Sequence, residues 1–382
     1  MTNRWFILLV LFLVRMTMAF QFQAVAALSP FLIESFAIGL ADIGLLIGVF
    51  LAPGVIIAIP GGAIAARVGD KRVVAMALFM MLGGGVMTAF AADWNMLIAG
   101  RIIAGAGGVF LNVVSTKMLV DWFAGREIAT AMAIFVNSWP IGIALALLIL
   151  PPAAQAQGDT SAWWIVVGMI AASLVLFAMF YRAPPGLKEA DAGVKVTKLP
   201  IYALTLAGLI WALYNTGLAM VFSFGPALFL QKGWETAQAA GIISAFMIVF
   251  SIAVPFGGMV ADRMGARDPV IFTSMLSFAV LIPIVLFGPS GLTVPAFLLA
   301  AALFSLAAGP VMTLPSVVLS PETRAFGMGV FFSIYYGVMM IAPRIAGSLA
   351  DASADVSTAL LSGVAAALGC VAALWLFRRH MA

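Results

Sequence analysis

The chain has 382 residues, of which 64% are hydrophobic and only 9% charged, with a formal net charge of +4. A soluble domain is about half apolar and about a quarter charged, so a water-soluble fold is excluded and the solvent around this chain is lipid. The single cysteine, Cys370, excludes an intrachain disulfide and a cysteine-built metal site, and the single histidine, His380, lies in the tail and excludes a histidine relay at membrane depth.

A bilayer crossing takes about 20 apolar residues, and twelve such segments can be marked, at about 5–31, 41–65, 73–92, 96–120, 128–150, 162–182, 200–230, 238–261, 269–288, 294–319, 326–350 and 357–377. They predict an all-α integral membrane protein of twelve transmembrane helices. The first run is too long for the apolar region of a cleavable leader and reads as a retained helix. Polar or proline-containing breaks separate the segments, among them Asp93-Trp94-Asn95, Pro151-Pro152 and Pro289-Ser290-Gly291.

Segment 1 carries Arg15 near its middle, with Phe22 on the same helical face and Gln23 at its edge. An arginine at that depth costs about 2.5–3.5 kcal/mol on the insertion scale, so it is expected to face a cavity and serve a function. Phe22 could stack on a planar anion. The bland alternative is a structural arginine bonding carbonyls at a helix break. Segment 2 is followed by Gly62-Ala-Ile-Ala-Ala66-Arg67-Val-Gly69-Asp-Lys71, and segment 4 contains Gly100-Arg101-Ile-Ile-Ala-Gly105-Ala-Gly107. Arg101 shares its face with Gly105, Gly108, Asn112 and Ser115; small residues there let another helix approach, so Arg101 and Asn112 read as structural or coupling groups. Asn137 in segment 5 reads the same way.

The longest polar stretch, 183–199, divides the chain into a six-helix N-terminal bundle, 1–182, a cytoplasmic connector, and a six-helix C-terminal bundle, 200–382. In the second half, Gly258-Met-Val-Ala-Asp262-Arg263-Met-Gly265-Ala-Arg267 repeats the first-half loop at an offset of 196 residues. The same offset carries Pro30 onto Pro226 and Arg15 onto Trp211, with Asn215 and Phe222 on the equivalent face. A parallel repeat of this kind is typical of transporters that rock two bundles about a central site. Segment 11 adds Tyr336 and, in its outer third, Arg344, which either forms an outer wall of an anion site or snorkels to water.

Loop charge predicts the orientation. Fifteen cations fall in the loops on the side of the termini and only Lys232 on the other, which places both termini in the cytoplasm. The basic balance is therefore topological and implies no nucleic-acid partner.

The loop signature Gly258–Arg267, its first-half copy and the Gly100–Gly107 motif resemble those of the major facilitator superfamily, and length, topology and repeat extend the resemblance over the whole chain. The first-half copy has Ala66 where the family usually has aspartate. The resemblance implies two pseudo-symmetric bundles and alternating access. It gives Gly62, Arg67, Gly69, Gly258, Asp262, Arg263, Gly265 and Arg267 a gating role rather than a chemical one. Among subfamilies the chain looks most like the cyanate/nitrate-type permeases and the oxalate–formate exchangers, which carry a substrate-binding cation in helix 11.

Arg15, Arg101 and Arg344 lie at membrane depth, and none of the fifteen acids is clearly buried with them; Asp42 stands at the very start of its segment. A cavity with cations and no carboxylates attracts an anion. The expected function is therefore transport of a small organic or inorganic anion bound by Arg15, Phe22, Gln23, Trp211, Asn215, Tyr336 and Arg344. Exchange is favoured over proton symport, because arginine does not release its proton. The alternative is an exporter of amphiphilic drugs or metabolites; a sensor would need a signalling domain. No catalytic constellation is present, so no enzyme and no cofactor is expected. The expected setting is a monomer in the lipid bilayer of a bacterial inner membrane.

Overall fold

The computed structural model describes residues 3–123, 128–184, 200–264, 267–319 and 324–381, and among these there are helices and turns but no strand. Lipid offers no hydrogen bonds to backbone groups, which leaves helices or a closed barrel, and continuous apolar runs of about 20 residues suit helices. Twelve stretches are long and apolar enough to cross a membrane: α1 Arg4–Ala27, α2 Leu40–Ile57, α3 Asp70–Ala89, α4 Trp94–Phe123, α5 Ile134–Gln157, α6 Thr160–Phe180, α7 Ile201–Gln231, α8 Thr236–Ala261, α9 Asp268–Phe287, α10 Ser290–Met312, α11 Gly327–Ser353 and α12 Ser357–Met381.

Local chemistry sets the ends. Asn3 Oδ1 accepts the Trp5 amide at 2.9 Å and caps α1. Gly69, with φ of 95°, turns the chain into α3, and Gly158, with φ of 86°, turns it into α6. One expected boundary differs, and an interruption that was not expected is present. Pro151 and Pro152 do not end their helix, which runs from Ser138 to Gln157; proline's own φ is helical and each removes only one hydrogen bond. The unexpected interruption lies earlier, at Asn137, between helical runs ending at Val136 and starting at Ser138. Pro140 has no amide hydrogen to give the Val136 carbonyl, and that carbonyl is left for another donor.

The first six spans pack among themselves, with α1 against α4, α5 and α6, and the last six likewise, with α7 against α8, α11 and α12. The two groups meet along three helix pairs, α2 with α11, α5 with α8 and α1 with α7. An even number of crossings brings both chain ends to one face, called here the terminal face. On that face Lys71 Nζ donates to the carbonyls of Ala178 and Tyr181 at 3.3 and 3.2 Å. The start of α3 is thereby tied to the negative end of the α6 dipole. In the second group the same helix pair is joined by a bidentate bridge, from Arg378 of α12 to Asp268 of α9 at 2.7 and 2.6 Å.

At the opposite, far face the α2–α11 seam is almost backbone on backbone. A side-chain carbon on Gly44 would strike the Pro343 carbonyl, and one on Gly48 the Met340 carbonyl. These two glycines, four residues apart, let α11 come this close. The Asp351 carboxylate completes the seam, accepting the amides of Leu40 and Ala41 at 2.9 and 2.7 Å, the open amides at the start of α2. Gly48→Leu is therefore expected to wedge the far face open at a cost of about 1–3 kcal/mol, an equilibrium shift of about 5- to 150-fold. The check is impermeant maleimide labelling of Ser223→Cys, a position 2% exposed on α7, with the native Cys370 buried and silent. Labelling should accelerate in the Gly48→Leu background.

Candidate functional site

Arg15 stands eleven residues into α1, about 16 Å along its axis at 1.5 Å per residue. Its Nε donates to Asn112 Oδ1 of α4 at 2.9 Å. Nη1 reaches the interruption in the fifth helix, donating to the carbonyls of Phe135 and Val136, both at 3.2 Å, and to Ser138 Oγ at 2.9 Å. The carbonyl freed by Pro140 thus meets the guanidinium. The rings of Phe135 and Trp139 lie 5.0 and 5.9 Å from its central carbon, within cation–π range. Nη2 makes no hydrogen bond among the described residues, and Arg15 lines a cavity. One side of the guanidinium is anchored and the other is available.

That cavity has a volume of about 130 Å³ and lies between the two groups of helices. At about 30 Å³ per water it has room for about four waters, close to the size of a cavity that takes a single small ring. The first group contributes Arg15, Asn112, Asn137 and Trp139; the second contributes Trp211, Tyr214, Asn215, Tyr335 and Tyr336. Among the described lining residues Arg15 is the one charged side chain. The groups are joined at the cavity by Asn112 Nδ2 donating to the Tyr336 hydroxyl at 3.3 Å and by Ser251 Oγ donating to Asn137 Oδ1 at 2.9 Å.

On its far side the cavity is closed by aromatic packing. Phe22 is 1% exposed and its ring meets Phe50, Trp139 and Phe222 at 5.5, 5.2 and 5.9 Å between centroids. Beside it Gln23 Nε2 donates to the Phe222 carbonyl at 2.7 Å. Pro226, four residues on, has left that carbonyl without its helical amide, so the Arg15 pattern recurs: a proline-freed carbonyl is satisfied from another helix. Ser244 Oγ of α8 also crosses to the Ala144 carbonyl of α5 at 3.0 Å. These hydrogen bonds between the two groups lie at the cavity or on its far side.

The residues expected to contact substrate therefore separate. Arg15, Trp211, Asn215 and Tyr336 line the cavity, together with Asn112 and Asn137, for which a structural or coupling role was expected. Phe22 and Gln23 sit in the seal above it. Arg344 is exposed and not part of the lining. Arg101 is 1% exposed; it donates to the carbonyls of Leu46, Gln21 and Phe22 at 3.2, 2.9 and 3.1 Å and covers the Phe50 ring at 4.5 Å. Of the gating motif, Gly62, Arg67 and Gly69 surround the turn into α3, and Gly258 lies near the end of α8, with Arg263 and Arg267 exposed. Gly265, the Asp262 side chain and positions 185–199 of the connector lie outside the described residues. In the first-half loop region Asp70 binds Lys117 of α4 at 2.6 Å.

Several participants carried no mark in the sequence. Phe250 and Phe332 line the cavity from faces as apolar as those that meet lipid, and Ser251 is one hydroxyl among many. Pro140, by contrast, was a usable signal, because the position four residues before a mid-membrane proline needs an outside donor. Asp351, expected outside the membrane, closes the far seam.

The comparisons with known proteins agree with this architecture. A family model described as Major Facilitator Superfamily matches residues 8–343 and, in an overlapping second match, 209–381. The 3-(3-hydroxy-phenyl)propionate transporter of Escherichia coli (strain K12) is 27% identical over 360 residues, covering 88% of this chain and 85% of that protein. The hexuronate transporter of Bacillus subtilis (strain 168) is 25% identical over 303 residues, covering 72% and 71%. Among solved structures, a bacterial homologue of the human lysosomal transporter Spinster, crystallised inward-facing and occupied, matches with a TM-score of 0.79 at 16% identity over 98% of this chain and 97% of that one. That likeness concerns the fold.

Proposed function

The chain belongs to the Major Facilitator Superfamily, and we propose that it carries a small organic anion, bound through Arg15, by alternating access. It is a membrane transporter of small solutes and not an enzyme. The observation that supports an anion is the half-anchored guanidinium: Nε and Nη1 are held by α4 and the fifth helix, Nη2 has no hydrogen bond among the described residues, and Arg15 lines a cavity whose described lining contains no acid. A fixed cation in low dielectric, with no protein counter-ion, is completed by an anionic ligand. The two named relatives carry a phenylpropionate and a hexuronate, both carboxylates.

The loop cations put the terminal face in the cytoplasm. The cross-group bonds at and beyond the cavity then close the outside, so this is the inward-facing state in a plasma membrane such as a bacterial inner membrane. Release of Gln23 from the Phe222 carbonyl and of Asp351 from the start of α2 would accompany opening outward, with residues 1–182 and 200–382 as the moving bundles. Exchange fits the site better than proton symport, since the described cavity lining offers no carboxylate or histidine to titrate. The test is counterflow in proteoliposomes with a labelled carboxylate. Uptake driven by internal unlabelled carboxylate and indifferent to a protonophore is expected; uptake that follows the proton gradient and ignores internal substrate would overturn exchange. If the neutral carboxamide analogue is carried as well as the acid, the anion reading fails and the amphiphile-exporter reading takes its place.

A further inference from the structure

We infer that the ligand is an aryl monocarboxylate that bridges the two bundles, its carboxylate on the Arg15 side and its ring against α7 and α11. This rests on the anion reading above and narrows it. The charge comes first: one guanidinium neutralises one carboxylate, and a second carboxylate in the same cavity would be buried without a counter-charge. The supply of hydrogen bonds comes next. Asn112 is used on both sides, by Arg15 and by Tyr336. Asn137 Oδ1 is taken by Ser251, and Asn215 Nδ2 is spent on the Trp211 carbonyl at 2.8 Å. Unspent in the same wall are Trp211 Nε1 and the Tyr214 hydroxyl, both buried without a partner among the described residues; they suit one or two polar groups on a ring rather than the hydroxyl on nearly every carbon that a sugar acid carries.

What the second bundle offers instead is ring surface. Trp211 and Tyr335 stand 6.2 Å apart and tilted by 43°, and Tyr335 and Tyr336 stand 5.0 Å apart. These offset and tilted arrangements are ones in which a further ring packs favourably. The chain of contacts runs from Arg15 through Asn112 and Tyr336 to Tyr335 and Trp211, so the cation and these three rings belong to opposite bundles. A carboxylate alone touches one bundle. A carboxylate carrying a ring touches both, and ligand contact with both is what favours a closed, loaded carrier over an open one.

The experiment measures binding to purified wild-type protein by quenching of intrinsic tryptophan fluorescence, and counterflow in proteoliposomes, for 3-phenylpropionate, 3-cyclohexylpropionate, acetate, glucuronate and 3-phenylpropionamide. Expected are binding and counterflow of 3-phenylpropionate, binding about tenfold weaker for the saturated ring, and little counterflow of acetate or glucuronate. Trp211→Leu should erase the preference for the aromatic ring and Trp211→Phe should restore part of it. Glucuronate or acetate carried as well as 3-phenylpropionate, or no binding of 3-phenylpropionate at all, overturns the aryl assignment. In the first of these cases the anion reading stands. Equal binding of 3-phenylpropionamide and its acid to the wild-type protein overturns the anion reading itself, and needs no variant that might fail to fold.

Discussion

Replacing Arg15 with glutamine is expected to abolish counterflow of the carried anion while leaving a folded, membrane-inserted protein. A hydrogen bond to a charged group contributes about 1.5–3 kcal/mol, so losing the charge-assisted contact from Nη2 alone weakens binding by roughly 10- to 150-fold. The substitution also withdraws donors from the Val136 carbonyl, Ser138 and Asn112. A glutamine amide supplies two donor hydrogens against the five of a guanidinium. Some loss of thermal stability is therefore expected as well, and it must be separated from loss of binding. The separating measurement is the ligand-induced rise in melting temperature, which the wild type shows and Arg15→Gln lacks whatever its own baseline. Arg15→Lys keeps the charge on a flexible stem but cannot hold Asn112, the helix interruption and a ligand at once, so it should rank between the two. A ligand-induced shift of wild-type size in Arg15→Gln would remove Arg15 from the site.

The sequence exposed the architecture and the depth of this arginine for a simple reason. Spans of about 20 apolar residues, loop cations and an offset of 196 residues are strong, long-range patterns, and the rise per residue converts position into depth. Which side of a helix meets the cavity is a weaker pattern here. The faces that meet lipid, a neighbouring helix or the cavity are all apolar in this chain, so periodicity cannot rank them. Arg344 shows the consequence: its depth was right for an outer wall, yet its helix turns it to an exposed face. Phe22 and Gln23 show another. Their face is interior, but whether they touch a ligand or each other's bundle depends on the conformational state, which no single sequence encodes. Asn112 was legible as a motif neighbour of Arg101, and became a cavity residue because Arg15 reaches across to it.

Arg101 is the counter-case to Arg15, and its replacement by alanine is expected to cost stability rather than substrate affinity. It is among the largest fully buried side chains, and its Nε, Nη1 and Nη2 all donate to carbonyls of α1 and α2. No donor nitrogen remains without a protein acceptor, and the residue is absent from the cavity lining. Truncating a large buried side chain costs about 2–5 kcal/mol through lost contacts and the void left behind. Relief from burying a charge without a counter-ion offsets part of this. Arg101→Met refills the volume without the carbonyl bonds, so it should recover the packing share only. The melting temperature should therefore fall in the order wild type, Arg101→Met, Arg101→Ala, while the dissociation constant for the carried anion stays near the wild-type value in whatever fraction folds. The opposite result is equally readable. If Arg101→Ala melts with the wild type but fails in counterflow, the arginine is not a brace. The three carbonyls it holds, two of them at the base of the Phe22–Gln23 seal, would then be the point where α4 couples the site to the far gate.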